Sequence, residues 1–312
     1  MNCSTLKIRN YSSADKKLIN SFFQEIAENH GFAGDVSLTS LRKGIKKPGY
    51  FPQRHLFLAE EEGRISGLAN LDPELRIKRV ILSGYIHPSS RGKGIGFMLL
   101  EHATRRAREM GAEAIHVSLS DDDSSARNFL LKNGFSPVRV FITLRLVFSQ
   151  NRKTEFSSET DKYSLTFLEK GEEKKLARLQ NSCFAGSWGF SPNTPREIEF
   201  WFRITGTSFL DVIVKREGKR IVGYCWTQMI PSEGRGSFSL KRGRIHMIGV
   251  HPSYRNRGIG RALLSAGISC LKRKGAESVE LISDEENTTA GSLYFSSGFS
   301  PLSTTIWYEK RA

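Results

Sequence analysis

The chain repeats itself once, and that repeat limits its possible folds more than any other feature. Ile86-His87-Pro88-Ser89-Ser90-Arg91-Gly92-Lys93-Gly94-Ile95-Gly96 matches Val250-His251-Pro252-Ser253-Tyr254-Arg255-Asn256-Arg257-Gly258-Ile259-Gly260 at an offset of 164 residues. The same offset continues without a gap through Leu99-Leu100 and Leu263-Leu264, then Gly111-Ala112-Glu113 and Gly275-Ala276-Glu277. It reaches Gly134-Phe135-Ser136-Pro137 against Gly298-Phe299-Ser300-Pro301. Solenoid repeats recur every ~20–50 residues, so a period this long means a duplicated domain. The length agrees, since 312 residues is about twice the ~150 expected of one domain. The seam falls in the polar stretch from Ser149 to Lys162, giving expected domains 1–150 and 151–312.

Each half has the same order of elements. A short strand (Leu6 to Arg9; Leu165 to Leu168) precedes a helix (Ser13 to Glu28; Glu172 to Cys183). A hairpin turns around Gly63 in one half and Gly218 in the other. An apolar strand then runs into a glycine-rich turn and a helix with apolar residues at helical spacing (Ile259, Leu263, Ala266, Leu271). Another strand and a short helix follow, up to Gly-Phe. This order predicts an α/β fold of two tandem domains, each a mixed, mostly antiparallel sheet flanked by helices. Segments 31–53 and 187–206 read as irregular excursions suited to substrate-side loops.

The glycine-rich turn can hold a pyrophosphate. It lies between a strand and a helix, where free backbone N–H groups and the helix dipole favour an anion. The residues expected there are Arg91, Gly92, Lys93, Gly94, Ile95 and Gly96, and again Arg255, Asn256, Arg257, Gly258, Ile259, Gly260 and Arg261. A dinucleotide fingerprint needs its third glycine later, and a Walker loop needs Gly-Lys-Ser/Thr, so both nucleotide alternatives fit poorly.

Val250-His251-Pro252, Arg255-x-x-Gly258-x-Gly260 and the Leu-Leu helix resemble the acetyl-CoA motif of the GNAT N-acetyltransferase superfamily. Asn287-x-x-Ala290-x-x-Leu293-Tyr294-x-x-x-Gly298-Phe299 resembles its second motif. Gly223-Tyr224-Cys225-Trp226-Thr227-Gln228 with Ile248-Gly249-Val250 is similar to the catalytic half of tandem acetyltransferases of the mycothiol synthase type. The resemblance implies acetyl transfer from acetyl-CoA, as co-substrate, to a primary amine of a small molecule or a peptide N-terminus, without a metal. It implies that Ile248, Gly249 and Val250 meet the pantetheine arm, that Asn287 belongs to the cofactor site and that Tyr294 protonates the departing thiolate. The first half departs from the pattern: Asp123 stands for Asn287, Leu130 for Tyr294 and Leu82 for His246. It is expected to bind CoA but to do little chemistry.

The general base stays open. In mycothiol synthase-like proteins a Glu on the strand before the turn is used, and Arg244 occupies that position here. His246 is a candidate because an imidazole titrates near neutrality; water is another, and Asp284, Glu285 and Glu286 read as a solvated turn. Trp188 and Phe190 precede a Pro-rich turn (Pro192, Pro195) and a helix with Phe200, Trp201 and Phe202; these aromatics either wall a substrate cleft or form a satellite hydrophobic cluster.

Composition sets the remaining bounds. Apolar residues make up 38% of the chain and charged residues 25%, enough for a core and against disorder. The net charge of +15 has three readings: a basic solvent-facing surface, attraction for the phosphates of CoA and an acidic substrate, or nucleic acid. The alternative from another class is a nucleic-acid- or ribosome-associated module that kept the acetyltransferase fold. The lack of a zinc site or RRM-like aromatic motif argues against it. Cys3, Cys183, Cys225 and Cys270 form no Cys-x-x-Cys pair, and no apolar run approaches a membrane span. A cytoplasmic protein without a membrane partner is expected.

Overall fold

A computed structural model describes residues 6–30, 44, 46–148, 163–230 and 241–312. The seam, most of the first excursion, Cys3 and residues 42, 43 and 45 of a basic cluster lie outside the described residues. The chain forms two compact units, and these do not follow the seam. Unit 1 comprises residues 1–119, 123–138 and 307–312; unit 2 comprises 120–122 and 139–306.

In unit 1, β1 (Lys7–Asn10), β2 (Leu56–Glu61), β3 (Arg64–Glu74) and β4 (Arg79–Ile86) run antiparallel in that order. β5 (Ala114–Ser120) is parallel to β4 over only Arg79–Ile81 against Ala114–His116. Around this sheet lie α1 (Lys16–His30), the single turn α2 (Pro52–His55), α3 (Ile95–Glu109) and α4 (Ser124–Lys132). The apolar face of α1 (Ile19, Phe22, Phe23, Ile26) packs on Leu56, Leu58 and Leu68, while α3 buries Leu99, Leu100 and Ala103. Each such side chain contributes roughly 1.5–3 kcal/mol on leaving water.

The strand that follows α4, β6 (Ser136–Val147), is counted from Arg139 onward with unit 2. There it pairs antiparallel with β11 (Ser278–Asp284), which is parallel to β10 (Arg242–Val250) over Arg242–Arg244 against Ser278–Glu280. β9 (Arg220–Ile230), β8 (Val212–Glu217) and β7 (Thr166–Phe167) continue the sheet antiparallel. The helices of this unit are α5 (Glu173–Phe184), α6 (Pro195–Thr205), α7 (Ile259–Arg273) and α8 (Thr288–Ser296). α7 covers one face with Leu263, Leu264, Ile268 and Leu271; α5 and α6 cover the other with Leu176, Ile198 and Phe202. Within the second excursion the expected helix bearing Phe200, Trp201 and Phe202 is α6, and Thr194 and Glu197 form the capping box that starts it.

The last strand, β12 (Ser300–Arg311), belongs to unit 2 as far as Ile306 and to unit 1 from Trp307. In unit 1 its end is held by Glu309 on His116 (2.9 Å), the Arg79 guanidinium over the Trp307 ring, and Ala312 N–H donating to the Glu113 carbonyl. In unit 2 the matching place on β6 is Arg145, bonded to Glu280 at 2.6 Å. Both contacts join positions whose numbers sum to 425 (116 with 309; 280 with 145), so they are equivalents under the 164-residue repeat with the charges inverted. Among the described residues no helix is long and apolar enough to cross a membrane.

Candidate active site

The site of the second half is built on β10. It pairs with β9 along its whole length but leaves β11 after Arg244/Glu280. Beyond that point the β11-side backbone edge of Ile245–Val250 has no neighbouring strand among the described residues, and an unpaired strand edge is a ready partner for an extended ligand. Register slips by one residue between Ile245 and Met247, which makes His246 a bulge. The equivalent strand β4 keeps an unbroken register through Leu82. Thus the first half splays, but without the bulge.

β10 runs into the glycine-rich turn. Pro252–Tyr254 form a 3-10 turn whose start is capped by His251, as His87 caps Pro88–Ser90 in the first half. This accounts for the repeated His-Pro: the imidazole Nδ1 accepts the backbone N–H of Ser253 or Ser89. Asn256 and Gly258 then adopt left-handed φ of 60° and 77°, matched by Gly92 and Gly94 at 77° and 80°. Asn is among the few non-glycine residues that tolerate this region, so the turn keeps its path with Asn256 in place of glycine. α7 and α3 begin directly after Gly258 and Gly94 with no side-chain cap, whereas Asn287 and Asp123 cap α8 and α4. The first N–H groups of α7 and α3, at Ile259, Gly260 and Arg261 and at Ile95 and Gly96, stay open to an anion. A Cβ at Gly94 would meet nothing, but one at Gly258 would collide with the Tyr163 hydroxyl, which donates to the Arg257 carbonyl at 3.0 Å. Splayed edge, bulge and uncapped helix start together fit a thioester cofactor with an extended arm and a diphosphate.

Several predicted residues have structural work as well. Arg255 donates to the carbonyls of Cys183 (2.7 Å) and Val250 (3.2 Å), fixing the turn against α5. The Arg257 guanidinium lies over the Tyr254 ring. The Asn287 side-chain oxygen accepts from Ala290 N–H, and Asp123 does the same for Ala126, so this exchange between halves conserves a cap. Lys93 lies 3.8 Å from Glu61. Arg91 stands at the end of the first-half turn, Pro88–Ser90.

Tyr294 lies on α8, 7% exposed, with its ring edge-on to Phe299. Burial pushes its phenol up to about 12, so it keeps its proton at every ordinary pH. The matching Leu130 of α4 is buried as well. His246 stands edge-on to Trp226 at 5.1 Å between ring centroids, with Trp201 of α6 at 6.0 Å. Burial between these indoles, together with the charge of Arg244, pushes the imidazole down to about 4, well below the neutral range expected from sequence. The aromatic run of α6 divides: Phe200 and Phe202 are buried, and Trp201 faces the histidine.

Asp284 and Glu286 are tied to Arg139 of β6. Gly249, expected with its neighbours on the arm-binding edge, is also tightly packed: a Cβ there would come within 3.1 Å of Cys183 Cβ and Sγ and of Tyr224 Cε1. The Cys183 thiol is pushed up to about 12 by burial and is no nucleophile. No group of three or more His, Cys, Asp or Glu is placed to hold a metal ion among the described residues.

The profile of the acetyltransferase (GNAT) family matches residues 23–135 and again 174–299. A mycothiol acetyltransferase from Thermomonospora curvata is 28% identical over 257 residues, 81% of either chain. One from Thermobispora bispora is 26% identical over 303 residues, covering 95% of this chain and 96% of the relative. A GCN5-related N-acetyltransferase from Sphaerobacter thermophilus shares the fold at a TM-score of 0.69 with 22% identity, over 98% of this chain and 95% of its own. A tandem GNAT protein from the clavulanic acid biosynthesis pathway does so at 0.69 with 15% identity, over 98% of each chain.

Proposed function

The chain belongs to the acetyltransferase (GNAT) family and is an acyltransferase, and from that premise we propose that it moves an acetyl group from acetyl-CoA to a primary amine, with the chemistry in residues 151–312. The observation that carries this reading is the parting of β10 from β11 just before an uncapped helix start. Acetyl-CoA, when bound, supplies the activated acyl group. The free edge of Ile248, Gly249 and Val250 binds the extended arm by backbone hydrogen bonds and offers an N–H to the acyl oxygen. The turn from Asn256 to Arg261 receives the diphosphate, with Arg255 and Arg257 contributing positive charge beside it.

His246, neutral above about pH 4, takes a proton from the acceptor nitrogen as that nitrogen turns acidic on forming its new bond. Its low basicity means the acceptor must arrive as the free amine. Tyr294, protonated up to about pH 12, delivers a proton to the departing sulfur. The first half keeps Arg91, Gly92, Lys93, Gly94, Ile95 and Gly96 but has Leu130, Leu82 and no bulge, so it holds CoA without chemistry of its own.

The test is a turnover screen with acetyl-CoA against small amines, amino sugars, polyamines and peptide N-termini, run with Tyr294→Phe alongside. The substitution keeps the buried ring and removes only the hydroxyl. The rate should fall by ~10²–10⁴-fold with acetyl-CoA affinity unchanged. An unchanged rate would return Tyr294 to the core.

A further inference from the structure

The face of the sheet opposite α7 carries a cation that no carboxylate among the described residues neutralises. Gly243 of β10 lies against Leu271 of α7, and Ile245 packs in the same cluster. Strand alternation therefore puts Arg242 and Arg244 on the other face, the one that bears Trp226. Arg244 is the last residue of β10 still paired with β11, opposite Glu280, and so sits where the two strands part. His246 follows two positions later.

Two arginines hold one carboxylate beside Arg244. Glu280 is nearly inaccessible, and its Oε1 receives Arg145 Nη2 at 2.6 Å, Arg145 Nε at 3.0 Å and Arg242 Nη1 at 3.3 Å. That carboxylate is satisfied by Arg145 of β6 and Arg242 of β10. The Arg244 side chain has no hydrogen bond or ion pair among the described residues, and its Nε is buried without an acceptor there. A guanidinium always carries its charge, and withdrawing one of its N–H groups from water with no acceptor is costly. Evenly solvated surface arginines bear no such cost. The closeness of this charge to His246 is seen in its share of the depression of the imidazole.

We propose that Arg244 anchors an oxyanion of the acceptor, so that the substrate of this site carries a carboxylate or phosphate on the same molecule as its amine. The proposal rests on the reading of this half as the transfer site. A planar guanidinium fork binds either oxyanion by paired, charge-assisted hydrogen bonds. Two strand positions span ~7 Å, so the anchored end and the amine at His246 fit one small molecule lying along β10.

The test uses matched acceptors: an amino acid against its carboxamide, and an amino-sugar phosphate against the parent amino sugar. Each is assayed with the full chain and with Arg244→Gln and Arg244→Lys. The anionic member of a pair should be preferred by ~10-fold or more in kcat/KM, mainly through KM. Arg244→Gln should erase the preference, and Arg244→Lys should restore part of it for phosphate, which accepts a point charge. The carboxylate and phosphate arms tell which oxyanion is read. Because Arg244 holds no ion pair, the melting temperature of Arg244→Gln should not fall.

A second arm measures equilibrium binding of the same anionic amines without acetyl-CoA. Arg244-dependent binding with no turnover of any amine would support the anchor and overturn the transfer reading. Turnover with no preference for the anionic member, or a preference that survives Arg244→Gln, would overturn the anchor and leave the transfer reading standing. Neither turnover nor Arg244-dependent binding would overturn both.

Discussion

At the scale of single residues, His246 shows how surroundings rewrite a side chain's chemistry. Sequence gives it the reference value of ~6.5. Between Trp201 and Trp226, beside Arg244, it falls to about 4. The folded value lies below the unfolded one, so the unfolded chain binds the proton first. The stability tied to this group is complete above about pH 6.5 and is lost as pH falls toward 4. Melting temperatures measured between pH 4 and 7 should drop more steeply with acid in the wild type than in His246→Gln. If the imidazole also takes the amine proton, the rate should show a rising limb near pH 4, absent in that variant. A limb near 6.5 that survives the substitution would remove His246 from the chemistry. The residue type was readable in the sequence; the bulge and the two indoles were not, because they come from strands and helices distant in the chain.

The two turns differ less than the side chains around them, and this is where an element can be tested against its copy. Gly94 and Gly258 share a left-handed backbone and an open helix start. Calorimetric titration with acetyl-CoA should show up to two equivalents. Gly94→Glu should remove one and Gly258→Glu the other, since each carboxylate would lie where the diphosphate binds. Retained binding in Gly258→Glu, with its fold checked by circular dichroism, would refute the turn as the anchor. The strand–turn–helix order was legible because glycine spacing and apolar periodicity are local signals. The helix after the Pro192–Pro195 turn was legible from its aromatics, while the cap that starts α6 is the quieter pair Thr194 and Glu197. The double service of Asn287 and Arg255, as cap and strut, was invisible in a motif that marks positions rather than contacts.

For the molecule as a whole, the repeat announced a duplication but gave no sign that β6 and β12 serve units other than the ones they follow in sequence. Long-range pairing leaves no periodic trace; only after folding do Arg145 with Glu280 and His116 with Glu309 stand out as an inverted pair. Removing residues 307–312 should strip unit 1 of the contacts to His116, Arg79 and Glu113. Hydrogen exchange should then rise across β4 and β5 while α7 and β10 stay protected. Equal loss in both sets of elements would mean that the chain melts as one body. The same division sets an order in time. During synthesis unit 1 pauses after Val138, and the 168 residues from Arg139 to Ile306 must be made before Trp307–Ala312 can complete it. At ~5–20 residues per second that interval is ~10–30 s. For that time the first unit to be translated waits for its last piece on the ribosome, with the edge of β5 bare, and the nascent chain is open to chaperones or mispairing.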